Sequence, residues 1–450
     1  MKVIKPLDVN SKCSLSRSSS ATYYDLYGNL VLAGVDQLRY DFDPVTKEFR
    51  GALIEPTRTN LFLNTASSLD PPVTIALVTQ TVSLSRDSDY TISFRGSGEV
   101  VIGGLGLSTG DPVVSNVGSG IKEFTFKTPS GSGNVSITFT VTGSLTHAQV
   151  ELGSFRTSWI PTTGSPQIRS ADNISGSGIL YSDFQDSTPV WDAGITYTKG
   201  FRAQSSFGIY ESQVANNLNN PPETSPIDKW IYIQPTNDFA MFDRSKGVSS
   251  VHPSTIAILT VVLPEGANSA AIMSTTADAF HVAITSQSMK PITSSALPVW
   301  GSTSILRGNC VYTQAVQGSV VSFFITNSTN SIEVGELLVG NTFTMGKTQY
   351  GFKVSVVDYS KKETDSFGNT NFIKGKFSIR ASASVMVDNT AYNGTIETAR
   401  ELIGSPAVWI ASEDPSFQAG AIVYGFYKGF DVEIPYPTMS LCSLEIEGLT

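Results

Sequence analysis

Residues 89–107, DYTISFRGSGEVVIGGLGL, and 122–143, KEFTFKTPSGSGNVSITFTVTG, alternate apolar and polar side chains in short runs that break at Gly, Pro and Ser. A period of two places alternate side chains on one face, so each run predicts a half-buried β-strand and each Gly or Pro cluster a turn. TIALVTQTVSL (74–84) and THAQVELG (146–153) repeat the pattern on either side. One sheet cannot bury its apolar face alone, so residues 66–173 are expected to form a two-layer β-sandwich of the jelly-roll kind.

The same alternation extends outward. TIAILTVVLPEG (255–266), AAIMSTTADAFHVAITS (270–286) and GSVVSFFITNSTNSIEVGELLVG (318–340) predict a second β-sandwich over 238–346. Residues 1–65 hold few regular alternations and read as an arm of short strands and turns packing on the first sandwich. The Pro-, Gly- and Ser-rich run 158–178 marks a connector, and 174–237 combines it with a small aromatic-rich β-module. Residues 347–450 read as an α+β domain. Its one helix is expected from Tyr392 to Ile403, with Ile396, Ala399, Leu402 and Ile403 on one stripe and Gly404 as the stop. The fold class is therefore mainly β and multidomain.

Composition narrows the function. The 450 residues carry 30 Lys+Arg against 39 Asp+Glu, a net charge of -9, and only 15% are charged, against about 25% in an average soluble protein. The absence of Lys/Arg clusters excludes a dedicated nucleic-acid binder, which needs concentrated positive charge. The longest apolar run is five residues, 407–411, where a membrane-spanning helix needs about twenty, so no membrane insertion is expected. The opening MKVIKPLDVNSKCSLS lacks an apolar stretch of signal-peptide length. Cys13, Cys310 and Cys442 are odd in number and far apart, which predicts reduced thiols and folding in a cytosol rather than a disulfide framework or a zinc site.

Two regions carry a resemblance. SRSSSATYYDLYGNL (16–30) and RYDFDPVTKEFRGALIEPTRTNLFLN (39–64), closing with AQVELGSFRTSWIPTTGSPQIRSAD (148–172), resemble a module common in bacteriophage tail and adhesion proteins. In that family such ends bracket a jelly roll of the lectin or carbohydrate-binding-module type. Segments 190–200, 237–247, 349–370 and 424–449 resemble another phage structural region. The resemblance implies a viral tail protein that takes part in host receptor binding, similar to the non-contractile tail sheath of short-tailed enterobacterial phages. It implies a homo-oligomer in the virion tail, assembled in the host cytoplasm. The implied partners are other phage tail proteins and a host outer-membrane receptor protein or surface glycan. A soluble glycan-binding adhesin is the alternative, and an envelope polysaccharide depolymerase a weaker one.

No catalytic constellation is visible, and no enzyme activity, metal or cofactor is expected. His147, His252 and His281 are the only histidines, no Gly-x-Ser-x-Gly elbow accompanies them, and structural roles are expected for all three. Asp36, Asp41, Asp43 and Glu55 could hold calcium, but turn-forming and solvated roles are favoured. Sugar rings present flat CH faces that stack on exposed aromatics, which makes Trp191, Tyr197, Tyr210 and Trp230 candidate ligand-binding residues. The run VWDAGITYTKGFRAQSSFGIYES (190–212) distantly resembles small chitin-binding modules, from which Phe201, Arg202 and Phe207 depart. The competing expectation, favoured for so small a module, is that these aromatics form its own core. KKETDSFGNT (361–370) predicts an exposed hairpin tip with Asp365, Phe367 and Asn369 as a contact loop.

Overall fold

The computed structural model describes residues 1–65, 79–244, 248–285, 311–314, 318–328, 331–364, 367–368, 370–412 and 418–449. The expected mainly β, β-sandwich class is what is found: antiparallel strands dominate, and among the described residues helix is confined to Tyr392–Glu401 and single turns. The chain divides into two compact units. One comprises residues 13–176 with 283–297, and the other residues 1–12, 177–282 and 298–450.

In the 13–176 unit the sandwich is made by folding one five-stranded sheet over itself. Strands Asp89–Gly103 and Asn134–Leu152 are far longer than an average strand, and each works in two halves. Asp89–Phe94 pairs with Lys122–Lys127, while Gly98–Val101 pairs with Val113–Asn116. The fold-over needs the backbones to close up where they bend. A Cβ on Gly96 (φ +96°) would lie 2.1 Å from the Ser144 carbonyl oxygen, and one on Gly143 (φ +86°) 2.6 Å from that of Ser97. The enclosed core is built from the alternating residues, including Ile92, Phe94, Ile102, Phe126, Phe139 and Val150. Short hairpins Ala21–Tyr24/Leu30–Ala33 and Tyr40–Phe42/Phe49–Ala52 precede it. Strands Ser14–Ser16 and Arg58–Asn60 pair with Asn173–Ser175 and Gln167–Arg169, bringing both ends of the unit together.

The other unit is centred on an eleven-stranded antiparallel sheet. Its first strand, Lys2–Leu7, lies between Ile332–Thr344 and Ala407–Ile410. Residues 1–12 thus belong to this unit rather than to the arm expected over 1–65, because Val3 and Ile4 are fully buried in its cores. Nor does the sheet stop at residue 346, where the sequence suggested a boundary, since strands from both sides share it. Strands Gly178–Ser182, Ile256–Val262 and Val320–Thr326 pair in a further antiparallel sheet of this unit. The helix ends at Glu401, two residues early, and Gly404 (φ +70°) follows as expected. Its buried stripe is Thr395, Thr398, Ala399 and Leu402. Ile403 is exposed, because the turn ending at Gly404 carries it off the helix face.

The small module is a three-stranded sheet, Arg202–Ser205, Gly208–Ser212 and Trp230–Pro235. A two-stranded ribbon, Thr196–Tyr197 with Asn217–Leu218, accompanies it.

Candidate functional site

Side chains directly opposite one another on antiparallel strands share a face. In the small module this rule places Ala203, Tyr210 and Tyr232 together, with Ser212 opposite Trp230. One end of that face is covered. Tyr197 and Trp230 are only 2% and 3% exposed, pack edge to face with ring centroids 5.3 Å apart, and form a small core with Ala203. The Trp230 Nε1–H donates to the Asn220 carbonyl at 2.8 Å, and the Asp192 N–H donates to the Tyr197 hydroxyl at 2.6 Å. Trp191 is half-buried against the same cluster. All four candidate aromatics thus contribute to the module's own core, Trp191 and Tyr210 as half-buried residues at its edge.

The other end of the face is open. Tyr210 and Tyr232 meet edge to face at 5.6 Å and 75°, and Tyr232 is 54% exposed. The pair sits over Gly208, where a Cβ would come within 2.8 Å of Tyr210 and 2.9 Å of Tyr232 ring carbons. Burial, and next the carboxylate of Glu223, raise the Tyr210 hydroxyl above its ordinary pKa; burial followed by Asp243 does the same for Tyr232. Both phenols stay protonated at neutral pH, in a field that is locally negative.

The strand that carries Tyr232 ends at a pocket of about 320 Å³ whose lining includes Gln185, Asp186, Gln234, Asn237, Ser249 and Val251. The Asn237 side chain is held by a reciprocal pair with Val251, accepting the Val251 N–H and donating to its carbonyl, both at 2.7 Å. Asp186 accepts the Asn237 N–H. Burial raises the Asp186 carboxyl; that N–H opposes the shift and Asp238 adds to it. Amides, hydroxyls and one carboxylate line this pocket, and Gln234, two positions along the strand from Tyr232, is its link to the tyrosine pair. Tyr232 was not among the candidates read from sequence. The signal lay in WIYIQP (230–235): once Trp230 faces the core, Tyr232 takes the next position on that face, beyond the reach of the small core.

The calcium candidates do not form a shared site. Asp36 accepts the Arg17 N–H, Asp41 that of Tyr24, and Asp43 those of Val45 and Thr46. Among the described residues no group of three His, Cys, Asp or Glu could hold a metal ion. Glu55 belongs instead to a buried ionic clasp at the ends of the 13–176 unit. Asp172 takes Arg17 at 2.8 Å and Arg39 at 2.6 Å, and Glu55 takes Arg39 at 2.9 Å and Arg169 at 2.5 Å. Burial would raise the Glu55 carboxyl, but Arg169 and Arg39, with the Ser158 hydroxyl and N–H, outweigh it and hold the pKa at about 2.

His147 also lies inside this unit, at the bulge between Thr146 and Gln149 (φ +53°), with its ring edge-on to Trp159 at 4.7 Å. Burial, then Arg95, push its pKa down to about 4. Between that value and about 6.5 the unfolded chain binds a proton that the folded one refuses, so stability falls as pH drops through this window. The expected loss is at most about 3 kcal/mol. Denaturant midpoints measured from pH 7.5 to pH 4.5 should show it, and in His147→Asn, a residue that tolerates the left-handed backbone, the slope above pH 5 should flatten. His252 and His281 pack edgewise or tilted on Phe184 and Phe324.

Phe367 is 90% exposed at the turn between Lys361–Thr364 and Thr370–Ile373, which pair as the expected hairpin. Asp365 and Asn369 lie outside the described residues, as does Cys310.

No protein-family model matches the chain, and no curated protein matches it. Among solved structures, a fucolectin (F-lectin) from the serum of striped bass, Morone saxatilis, is similar at 10% identity, covering 75% of this chain and 99% of that one with a TM-score of 0.18. So low a score carries no argument, and the site stands on its own geometry.

Proposed function

We propose that the protein is a non-enzymatic glycan-binding adhesive protein that takes neutral sugars on the open end of the small module. The observation that carries this reading is the Tyr210–Tyr232 pair, half in solvent and seated on Gly208. A sugar ring stacks its CH face on Tyr232, and hydroxyls extend toward the Gln234–Asn237 pocket. Glu223, Asp243 and Asp186 disfavour sialylated or uronic-acid glycans by like-charge repulsion.

A second reading makes the chain a phage tail component, sheath-like or fibre-like, that engages a host outer-membrane receptor protein. It is supported by the segments 16–30, 39–64 and 148–172, which resemble phage modules and whose residues Arg17, Arg39, Glu55, Arg169 and Asp172 form the clasp. In that setting the chain works in the virion tail with other tail proteins and a host surface. Binding to enterobacterial cells separates the two readings. Binding lost when surface polysaccharide is stripped supports the glycan reading. Binding lost only when outer-membrane proteins are stripped overturns it in favour of a protein receptor.

A further inference from the structure

The C-terminal part of the large sheet carries two unlike projections at opposite ends. One is an arm. Edge strand Lys353–Asp358 leads into the Lys361–Thr364/Thr370–Ile373 hairpin, and every described residue of that ribbon is exposed. A two-stranded ribbon with both faces in water is marginal alone, yet this one and its base display Val356 and Phe372, each 65% exposed, with Tyr359 and Ile373. The arm is basic. Residues 353–376 hold five Lys against three acids, a net of +2, which leaves -11 on the rest of a chain whose total is -9.

The other projection is the tip joining Ile422–Glu433 to Met439–Gly448. It exposes Ile434 (61%) and Tyr436 (59%) beside Asp431 and Glu433, with no Lys or Arg from 429 to 439. The two projections flank strand Phe377–Asp388: Asp358 pairs with Phe377 at one end, and Met439 with Asp388 at the other. At about 3.4 Å per residue that strand separates them by roughly 35–40 Å, so the arm does not reach the tip of its own chain.

We infer that the arm docks on the acidic, apolar tip of a second copy of this chain, giving head-to-tail association. Lys362 and Phe372 are cross-strand neighbours on one face of the ribbon, with Lys361 and Ile373 on the other; on that first face Lys362 meets Asp431 and Glu433 of the next copy and Phe372 covers Ile434 and Tyr436. Because the contact is heterologous, it is repeated from copy to copy and generates a ring or an open filament.

Sedimentation velocity on the full chain tests this with two charge reversals, Lys361→Glu/Lys362→Glu in the arm and Asp431→Lys/Glu433→Lys in the tip. All four positions are exposed, so the variants are expected to fold. The wild-type chain should sediment as a multimer at low salt and shift toward monomer at about 1 M salt, where the screening length falls to about 3 Å. Each variant alone should be monomeric, since like charges then meet, and mixing the two should restore the multimer. A monomeric wild type, variants that still associate, or a mixture that stays monomeric overturns the inference.

Discussion

Asp172→Ala is expected to destabilise the 13–176 unit by about 3–5 kcal/mol, the cost of breaking a buried ion pair from one side. Arg17 and Arg39 are fully buried and both point at this carboxylate. Asp172 also accepts the Glu55 N–H at 2.9 Å, and its own N–H donates to the Glu55 carbonyl. Removing the carboxylate leaves the buried Arg17 guanidinium without an acidic partner and Arg39 with Glu55 alone, and takes away the acceptor of the Glu55 N–H. The loss should appear as a lowered midpoint in denaturant unfolding, with near-wild-type stability in the module around Trp230. The clasp is not expected to add much net stability over an apolar core of the same shape, because desolvating five charged groups offsets most of their attraction.

The second large effect is at Trp230. Truncation to alanine removes the largest side chain of a core that otherwise holds Tyr197 and Ala203, and the hydrogen bond that anchors Asn220. Large aromatic deletions of this kind cost about 3–5 kcal/mol. A sheet of three short strands has little other apolar burial to absorb that loss, so the module is expected to unfold locally. Glycan binding would then vanish together with amide-exchange protection across 202–212 and 230–235. Trp230→Ala therefore does not report on direct contact with a ligand, whereas Tyr232→Ala does. The two substitutions, two residues apart, should separate cleanly when exchange protection and binding are measured on the same samples.

The strands were legible because a period of two is a local signal. DYTISFRGSGEVV supplies Ile92, Phe94 and Val100 to the core as its alternation requires. The hairpin around Phe367 was legible from Gly368 and the flanking small polar residues. The clasp was not: Arg17 and Asp172 are 155 residues apart, and nothing local in SRSSS or RSAD says which charges will be buried together. The calcium candidates failed for the converse reason. Asp36, Asp41 and Asp43 are near in sequence, but each is engaged by N–H groups of its own turn or a neighbouring strand. Lys2–Leu7 reads as one more short strand of the arm, and its insertion between strands more than 300 residues away is a long-range choice driven by Val3 and Ile4. At the candidate site the alternation in WIYIQP was visible, but how far the small core extends along that face was not.

Recognition of neutral glycans by the tyrosine pair can be read on a glycan array bearing neutral and anionic members, probed with the wild-type chain, Tyr232→Ala and Gly208→Ala. The wild type is predicted to bind a subset of neutral glycans. Tyr232→Ala should lose roughly tenfold in affinity, as expected for one stacking contact of about 1.4 kcal/mol. Gly208→Ala should weaken binding by pushing both rings aside while the fold is kept. A flat wild-type array, or binding that survives Tyr232→Ala unchanged, would contradict the account.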